Sequence, residues 1–472
     1  GKISLDSFSD ENPINANTRI ICRGPDETKF LNQNNLNLDK TFFSFVFNRL
    51  AIIDLTDKAS QPMVSKNKEN LMMFNGEIYN YKELKKILVN KGIVFHSKNS
   101  DTEVLLEGLS YFGLDFVKNI IGQFAIAFYD IENKKIHLIR DRVGQKPLFF
   151  NLSGRSLVFG SNLVSVSDLS GEKQINDKEI GNFFNYGVIK SPNTIYKNIY
   201  KLKPGEIISF NLENNLQAES HLYWSPTDEV DEKKFIDDEF YELFSSSINY
   251  RLESDVPVAN FLSGGIDSSS IIKNLFDNKK NINTFSAIYS DNKYDESFWI
   301  ESVKEKYKTN HFQEKLDLNF DFDALLAVIN IFDEPYCDPS IVPSFILSRL
   351  ISKKYKVQKV GYEKAMEKFH KKYPGMAEWR QAQIDIIKEG NAPILIFTHP
   401  MDPYEGLTSD WMDDVPNFKR VVVSEKKKVN GKKCNTAGSN WEEPLKDLHI
   451  INHADCFMHY HPLIKEYITS RL

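Results

Sequence analysis

The stretch Phe261-Leu262-Ser263-Gly264-Gly265-Ile266-Asp267-Ser268-Ser269 constrains this chain more than any other. Before it, Val256-Pro257-Val258-Ala259-Asn260 reads as a short buried strand. After it, Ser270-Ile271-Ile272-Lys273-Asn274-Leu275 reads as the first turns of a helix. A strand that turns through two glycines into a helix makes an anion site. Glycine lets successive N–H groups point into one concavity, the helix start adds a partial positive charge, and the serine hydroxyls add donors. Phosphate is the natural guest. A ligand-free turn is the commoner fate of a lone Gly-Gly, and Ser263, Asp267, Ser268 and Ser269 around this one argue against it.

At 472 residues the chain is too long for one core, and about two to four domains are expected. Its net charge of −6 argues against bulk electrostatic binding to nucleic acid or to an anionic membrane. No apolar run is long enough to span a bilayer as a helix. The four cysteines, Cys22, Cys337, Cys434 and Cys456, are far apart and unpatterned. They fit reduced thiols, and with no export signal at the start the expected location is cytoplasmic.

From residue 41 to about 224, aromatic and alternating runs predominate: 42–47, 51–53, 71–74, 123–129, 135–140 and 206–211 read as strands, so sheet packed on sheet is expected. Helical patterns appear at 81–90 and 101–111, the second behind a Ser100 N-cap. Four polar clusters sit at the strand ends: Arg23-Gly24-Pro25-Asp26, Asn48-Arg49-Leu50, Asn75-Gly76-Glu77-Ile78-Tyr79-Asn80 and Asn99-Ser100-Asp101-Thr102-Glu103. Singly these read as a turn, a strand end, a hairpin and a helix cap.

Together with Gln61-Pro62-Met63, Gly122-Gln123-Phe124-Ala125, the run Arg140 to Leu148 and Leu202-Lys203-Pro204-Gly205, they carry a resemblance. The region resembles the glutaminase domain of the asparagine synthetase family, one of the amino-terminal-nucleophile amidotransferases. The resemblance implies that Arg49 takes glutamine's carboxylate, that Asp101 and Glu77 take its ammonium, and that the Asn75 amide and Gly76 N–H form the oxyanion hole. The family's nucleophile is an amino-terminal cysteine whose own α-amino group is the general base. This chain begins at Gly1, so its glutaminase half is expected to bind glutamine without hydrolysing it, and a first strand of about ten residues is expected to be missing. Cys22, directly before Arg23, is rejected as a substitute nucleophile.

The polar, acidic residues 225–235 read as a linker. A helix at 235–250, the opening motif, a strand at 283–289 and a helix at 297–307 then follow in a doubly wound order. Ser263 to Ser269 resembles the pyrophosphate loop of the N-type ATP pyrophosphatases. That resemblance implies ATP bound by Leu262, Ser263, Gly264, Gly265, Asp267, Ser268 and Ser269, with adenine contacts around Leu262, Ser286 and Ala287 and Asp267 near Mg²⁺. Phe332 to Ser340 resembles the family's Asp-Glu-Pro segment, and Asp333, Glu334 and Asp338 are candidates for substrate or metal contacts. The implied chemistry is activation of a carboxylate, aspartate by default, as an acyl-adenylate that ammonia then attacks, releasing AMP after pyrophosphate. Two alternatives stay open: a homologue that binds glutamine and nucleotide without turnover, and an amidotransferase acting on another carboxylate in sugar or natural-product biosynthesis.

After Val357 the resemblance stops, and no second loop rich in glycine and acidic residues appears. Helices are expected at 361–373 and 378–388, strands at 393–398, 420–423 and 448–451. Six of the ten histidines fall here. Asp402 and His453 faintly resemble the acid and base of an α/β-hydrolase, but no Gly-x-Ser-x-Gly elbow exists in the chain. His453, Asp455, Cys456, His459 and His461 fit no common zinc spacing. An unrelated fused segment is the simpler expectation for this tail.

The resulting expectation is an α+β αββα amidotransferase sandwich over 1–224, a linker at 225–235, a truncated α/β parallel-sheet ATP pyrophosphatase domain over 236–357, and an unassigned α/β segment over 358–472. Expected partners are glutamine and aspartate or a related carboxylate, with ATP and Mg²⁺ as cofactors and a homodimer left open.

Overall fold

The computed structural model describes residues 1–6, 17, 19–32, 41–227, 237–289, 295–316, 327–329, 331–338 and 341–351, and the backbone of 394–398, 418–429, 432–437 and 449–450. The first half runs β1 (Lys2–Ser4), β2 (Glu27–Asn32), β3 (Phe42–Arg49), β4 (Met63–Val64), β5 (Asn70–Ile78), α1 (Tyr81–Asn90), α2 (Asp101–Phe112), β6 (Gly122–Asp130) and β7 (Lys135–Arg140). It continues through β8 (Phe149–Ser153), β9 (Ser156–Gly160), α3 (Leu163–Ser170), α4 (Asp177–Tyr186), β10 (Ile199–Lys201), β11 (Glu206–Asn211) and β12 (Gln217–Leu222).

Two six-stranded antiparallel sheets result, in the orders β10-β8-β9-β1-β3-β2 and β12-β11-β7-β6-β5-β4. Strand alternation explains their stacking, because successive side chains point to opposite faces. On β5 and β6, Met72, Phe74, Phe124 and Ile126 face a core shared with α1 and α2. Their neighbours Leu71, Met73, Ala125 and Ala127 face Ile3, Phe43 and Phe45 of the other sheet. Beyond that sheet, Leu163, Val166 and Leu169 of α3 cover Phe149 and Val158. Helix, sheet, sheet, helix is the αββα order expected. At the start of α2 the Ser100 hydroxyl accepts the Glu103 N–H at 3.1 Å, the cap read from sequence.

Lys2–Ser4 pairs with both β3 and β9, so the chain enters the first sheet between them. One expectation for this half is corrected. Residues 51–53 form no strand: Ile52 and Ile53 lie in a turn after β3 whose carbonyl groups serve a side chain instead of a ladder.

The second half comprises α5 (Asp237–Arg251), β13 (Asn260–Phe261), α6 (Ile266–Asp277), β14 (Asn283–Tyr289), α7 (Ser297–Tyr307), β15 (Asn310–Leu316) and α8 (Ile341–Ile351). The three strands form a parallel sheet in the order β13-β14-β15. Ile248, Ile272, Leu275 and Ile300 from the helices close one core with Leu262 and Ile282. The strand expected at 256–260 is present only as Asn260–Phe261, since Pro257 has no N–H to give a ladder. In the tail, β16 (Ile394–Thr398), β17 (Phe418–Val429), β18 (Lys432–Ala437) and β19 (His449–Ile450) form a mixed sheet in that order. The helices expected at 361–373 and 378–388, and residues Asp402, His453, Asp455, Cys456, His459 and His461, lie outside the described residues.

Among the described residues no helix is long and apolar enough to cross a membrane.

Candidate functional site

A cavity of about 290 Å³ opens at one end of the two stacked sheets. Its lining includes Arg49, Asn75, Gly76, Glu77 and Asp101, so the five residues assigned to glutamine share one space. Strand pairing accounts for this. β3 ends on Arg49, β5 carries Asn75 to Glu77, and α2 begins on Asp101. Asn75-Gly76 is no hairpin: β5 runs straight through it, and Gly76 lies so close to β6 that a Cβ would sit 2.0 Å from the Gln123 carbonyl oxygen.

Arg49 is 8% exposed. Its Nη1 donates to the Thr56 carbonyl at 2.9 Å and its Nη2 to the Asp54 carbonyl, which fixes the guanidinium plane, and Nη1 also lies 3.9 Å from the Glu27 carboxylate. Asp101, 5% exposed, accepts the Ile78 N–H at 3.1 Å. Burial pushes its carboxyl up to about 7, against those hydrogen bonds and with the help of nearby Glu77. Burial also raises the Glu77 carboxyl, and the Lys146 ammonium holds it back. Buried Asp101 and half-buried Glu77 facing Arg49 across one cavity suit a zwitterion.

Two lining residues, Gln61 and Lys146, belong to the recognised motifs, but sequence reasoning gave them no role. Strand β4 pairs with β5 only at Met72 and Leu71. Where it stops, the Gln61 side chain takes over: Oε1 accepts the Phe74 N–H at 2.6 Å and Nε2 donates to the Phe74 carbonyl at 3.0 Å. The amide mimics one rung of a ladder and holds the backbone just before Asn75. Gly1 also lines the cavity, with its nitrogen 2.7 Å from the Phe159 carbonyl oxygen, whereas exposed Cys22 is not among the lining residues.

The second site is the loop between β13 and α6. Gly264 has φ +79°, and a Cβ there would lie 2.7 Å from Cβ of Trp299. Gly265 is the N-cap of α6 and no side chain caps the helix start. The Ser263 and Ser268 hydroxyls meet at 3.2 Å, exposed Asp267 stands in the first turn, and the Ser269 hydroxyl is buried without a hydrogen-bond partner among the described residues. A cradle closed to any side chain at Gly264, with an orphaned hydroxyl beside it, fits a phosphate ligand. Leu262 N–H donates to Phe285 at 2.8 Å, and the Ser286 hydroxyl donates back to the Leu262 carbonyl, so Ser286 holds the loop to β14, where Ala287 follows it.

The side chains of Asp333 and Glu334, candidates for substrate or metal contacts, make their hydrogen bonds and ion pair with the first half. Asp333 accepts the Leu163 N–H at 2.6 Å and the Asn162 side-chain amide, so it serves the start of α3. Glu334 accepts the Ile195 N–H at 2.9 Å and pairs with Lys201 at 2.5 Å. Both carboxyls are raised by burial. They strap the second half to the first, while the Asp338 carboxylate accepts the Tyr336 hydroxyl at 3.5 Å. Changing Glu334 to alanine should leave Lys201 charged at a site 13% exposed and lower the unfolding free energy by about 3 kcal/mol in a denaturant titration. A loss below about 0.5 kcal/mol would make the strap ordinary surface.

Residues 4–224 match the model of the glutamine amidotransferase domain, and residues 239–360 match that of asparagine synthase. The putative glutamine-hydrolysing asparagine synthetase 2 of Methanocaldococcus jannaschii is 31% identical over 444 residues, covering 88% of this chain and 78% of that protein. That share reaches past residue 357 into the tail. Asparagine synthetase 2 of Bacillus subtilis is 31% identical over 365 residues, 70% of this chain and 45% of its own length. Asparagine synthetase 3 of the same organism is 31% identical over 334 residues, 66% of this chain and 52% of its own. The chain thus spans about half the length of these Bacillus relatives. By these likenesses, the chain belongs to the glutamine-hydrolysing asparagine synthetase family, whose members are ATP-dependent carbon–nitrogen ligases.

Proposed function

We propose that this chain is a glutamine-dependent amidotransferase that passes ammonia to an ATP-activated carboxylate, with aspartate the default acceptor and asparagine the product. The observation that carries the reading is the convergence of Arg49, Asn75, Gly76, Glu77 and Asp101 on one cavity. Arg49 takes the α-carboxylate of glutamine, and Asp101 with Glu77 takes the α-ammonium. The Asn75 side-chain amide and the Gly76 N–H stabilise the oxyanion that develops when a thiolate attacks the carboxamide carbon. Ammonia leaves, and water then cleaves the thioester to glutamate. A cysteine joined to Gly1 would stand at the cavity wall with its own α-amino group as base.

In the second half, the uncapped start of α6 and the Ser263, Ser268 and Ser269 hydroxyls would hold phosphate oxygens, and Asp267 would offer one carboxylate to the Mg²⁺ that accompanies them. ATP supplies the energy, turning the acceptor carboxylate into an acyl-adenylate with loss of pyrophosphate. Ammonia attack on its carbonyl carbon releases AMP. The division of labour follows the linker at 225–235.

The test is product formation from ATP, Mg²⁺, aspartate and ammonium salt. Asparagine, AMP and pyrophosphate in equal amounts support the reading. Pyrophosphate release with a different carboxylate would move the acceptor. Binding of ATP and glutamine with no product from any acceptor would make the chain a binding homologue.

A further inference from the structure

The turn that holds Arg49 is itself held from the other half of the molecule. Asp255 lies a few residues before β13 and the phosphate loop, yet its N–H donates to the Ile52 carbonyl at 3.0 Å and its Oδ2 accepts the Asp54 N–H at 2.8 Å. Asp54 has φ +51°, an unfavourable backbone state that neighbouring contacts must sustain. Its Oδ1 accepts the Thr56 N–H at 3.0 Å and the Thr56 hydroxyl at 2.6 Å. The carbonyls of these same two residues, Asp54 and Thr56, take the Arg49 guanidinium. One unbroken run of hydrogen bonds therefore leads from Asp255 through the turn to the fork assigned to glutamine's carboxylate.

We infer that Asp255 is a positioning residue for glutamine, supplied by the nucleotide-binding half: it sets the turn from Ile52 to Thr56, and the turn sets Arg49. The inference rests on the reading of the cavity as a glutamine site. Its consequence is that carboxylate recognition in the first half is complete only when the second half is docked. A second tie across the same interface, the Lys82 to Glu253 ion pair, does not touch the turn and serves as its control.

Calorimetric titration of the full chain with L-glutamine and with L-glutamine α-amide, whose carboxylate is masked, tests this. Asp255→Ala should weaken glutamine about tenfold, the scale of one lost hydrogen bond to a positioned charge, and leave the α-amide unchanged, so discrimination between the two shrinks about tenfold. Asp255→Asn, which keeps an oxygen acceptor for the Asp54 N–H, should restore most of it. Glu253→Ala should change neither ligand. Equal weakening of both ligands by Asp255→Ala, no weakening at all, or the same effect from Glu253→Ala would overturn the role of Asp255. Failure of the unaltered chain to bind glutamine would instead overturn the site reading, and the inference with it.

Discussion

Exchange of Asp101 for asparagine should weaken glutamine about 30-fold or more while making the ligand-free protein more stable at neutral and alkaline pH. The loss follows from removing the buried anion that faces the α-ammonium, since truncating one partner of a buried charge pair costs about 2–5 kcal/mol. The gain follows from the carboxyl's position. Burial pushes it up to about 7, whereas in the unfolded chain it ionises near 4. The native state therefore keeps a proton that the unfolded state has released. Stability from that proton is fully present below about pH 4 and is lost as the pH rises to about 7, on the order of 4 kcal/mol in all. Asparagine stays neutral and should remove this decline. In the unaltered protein, glutamine affinity should fall about tenfold per pH unit below about pH 7, because its ammonium needs the ionised acid. Titration calorimetry and denaturant melts at pH 5, 7 and 8 read both effects. A variant that binds glutamine normally at pH 8 would remove Asp101 from the site.

The other large effect belongs to the phosphate loop. Gly264→Ala puts a Cβ on a residue with φ +79° and within 2.7 Å of the Trp299 Cβ, an atom too near the backbone to swing aside. The loop must shift, and a displacement of about 1 Å at a phosphate cradle costs on the order of 100-fold in rate. ATP-dependent pyrophosphate release should fall by that factor while glutamine binding, which draws on the second half through Asp255 and not through this loop, stays unchanged. Unaltered pyrophosphate release would show that phosphates bind elsewhere.

How much of this was legible beforehand depended on whether the cause was local. The strand Asn283–Tyr289 and the helix Ser297–Tyr307 fall where their patterns put them, because burial and period are written in consecutive residues. The Ser100 cap and the glycine turn at Gly264 were equally local. What failed was pairing. Asn75-Gly76 looks like a hairpin until β6 is laid beside it, and residues 51–53 look like a strand until Arg49 claims the carbonyls that follow. The partners of Asp333 and Glu334, Leu163, Ile195 and Lys201, are more than a hundred residues away and could not be read from the motif. The bond between Asp255 and Asp54 spans 201 positions, and no local pattern announces it. Gln61 was quoted within a motif, but its work depends on where β4 happens to end.

The central claim is that the cavity beside Gly1 is a glutaminase site whose binding groups are in place. The most direct measurement attaches a Met-Cys start to Gly1, allows removal of the methionine, and follows glutamate and ammonia release from glutamine. Turnover that vanishes when this cysteine is serine, and that collapses with Asp101→Asn, is the predicted result. Glutamine bound by the cysteine-bearing chain with no glutamate formed would contradict it.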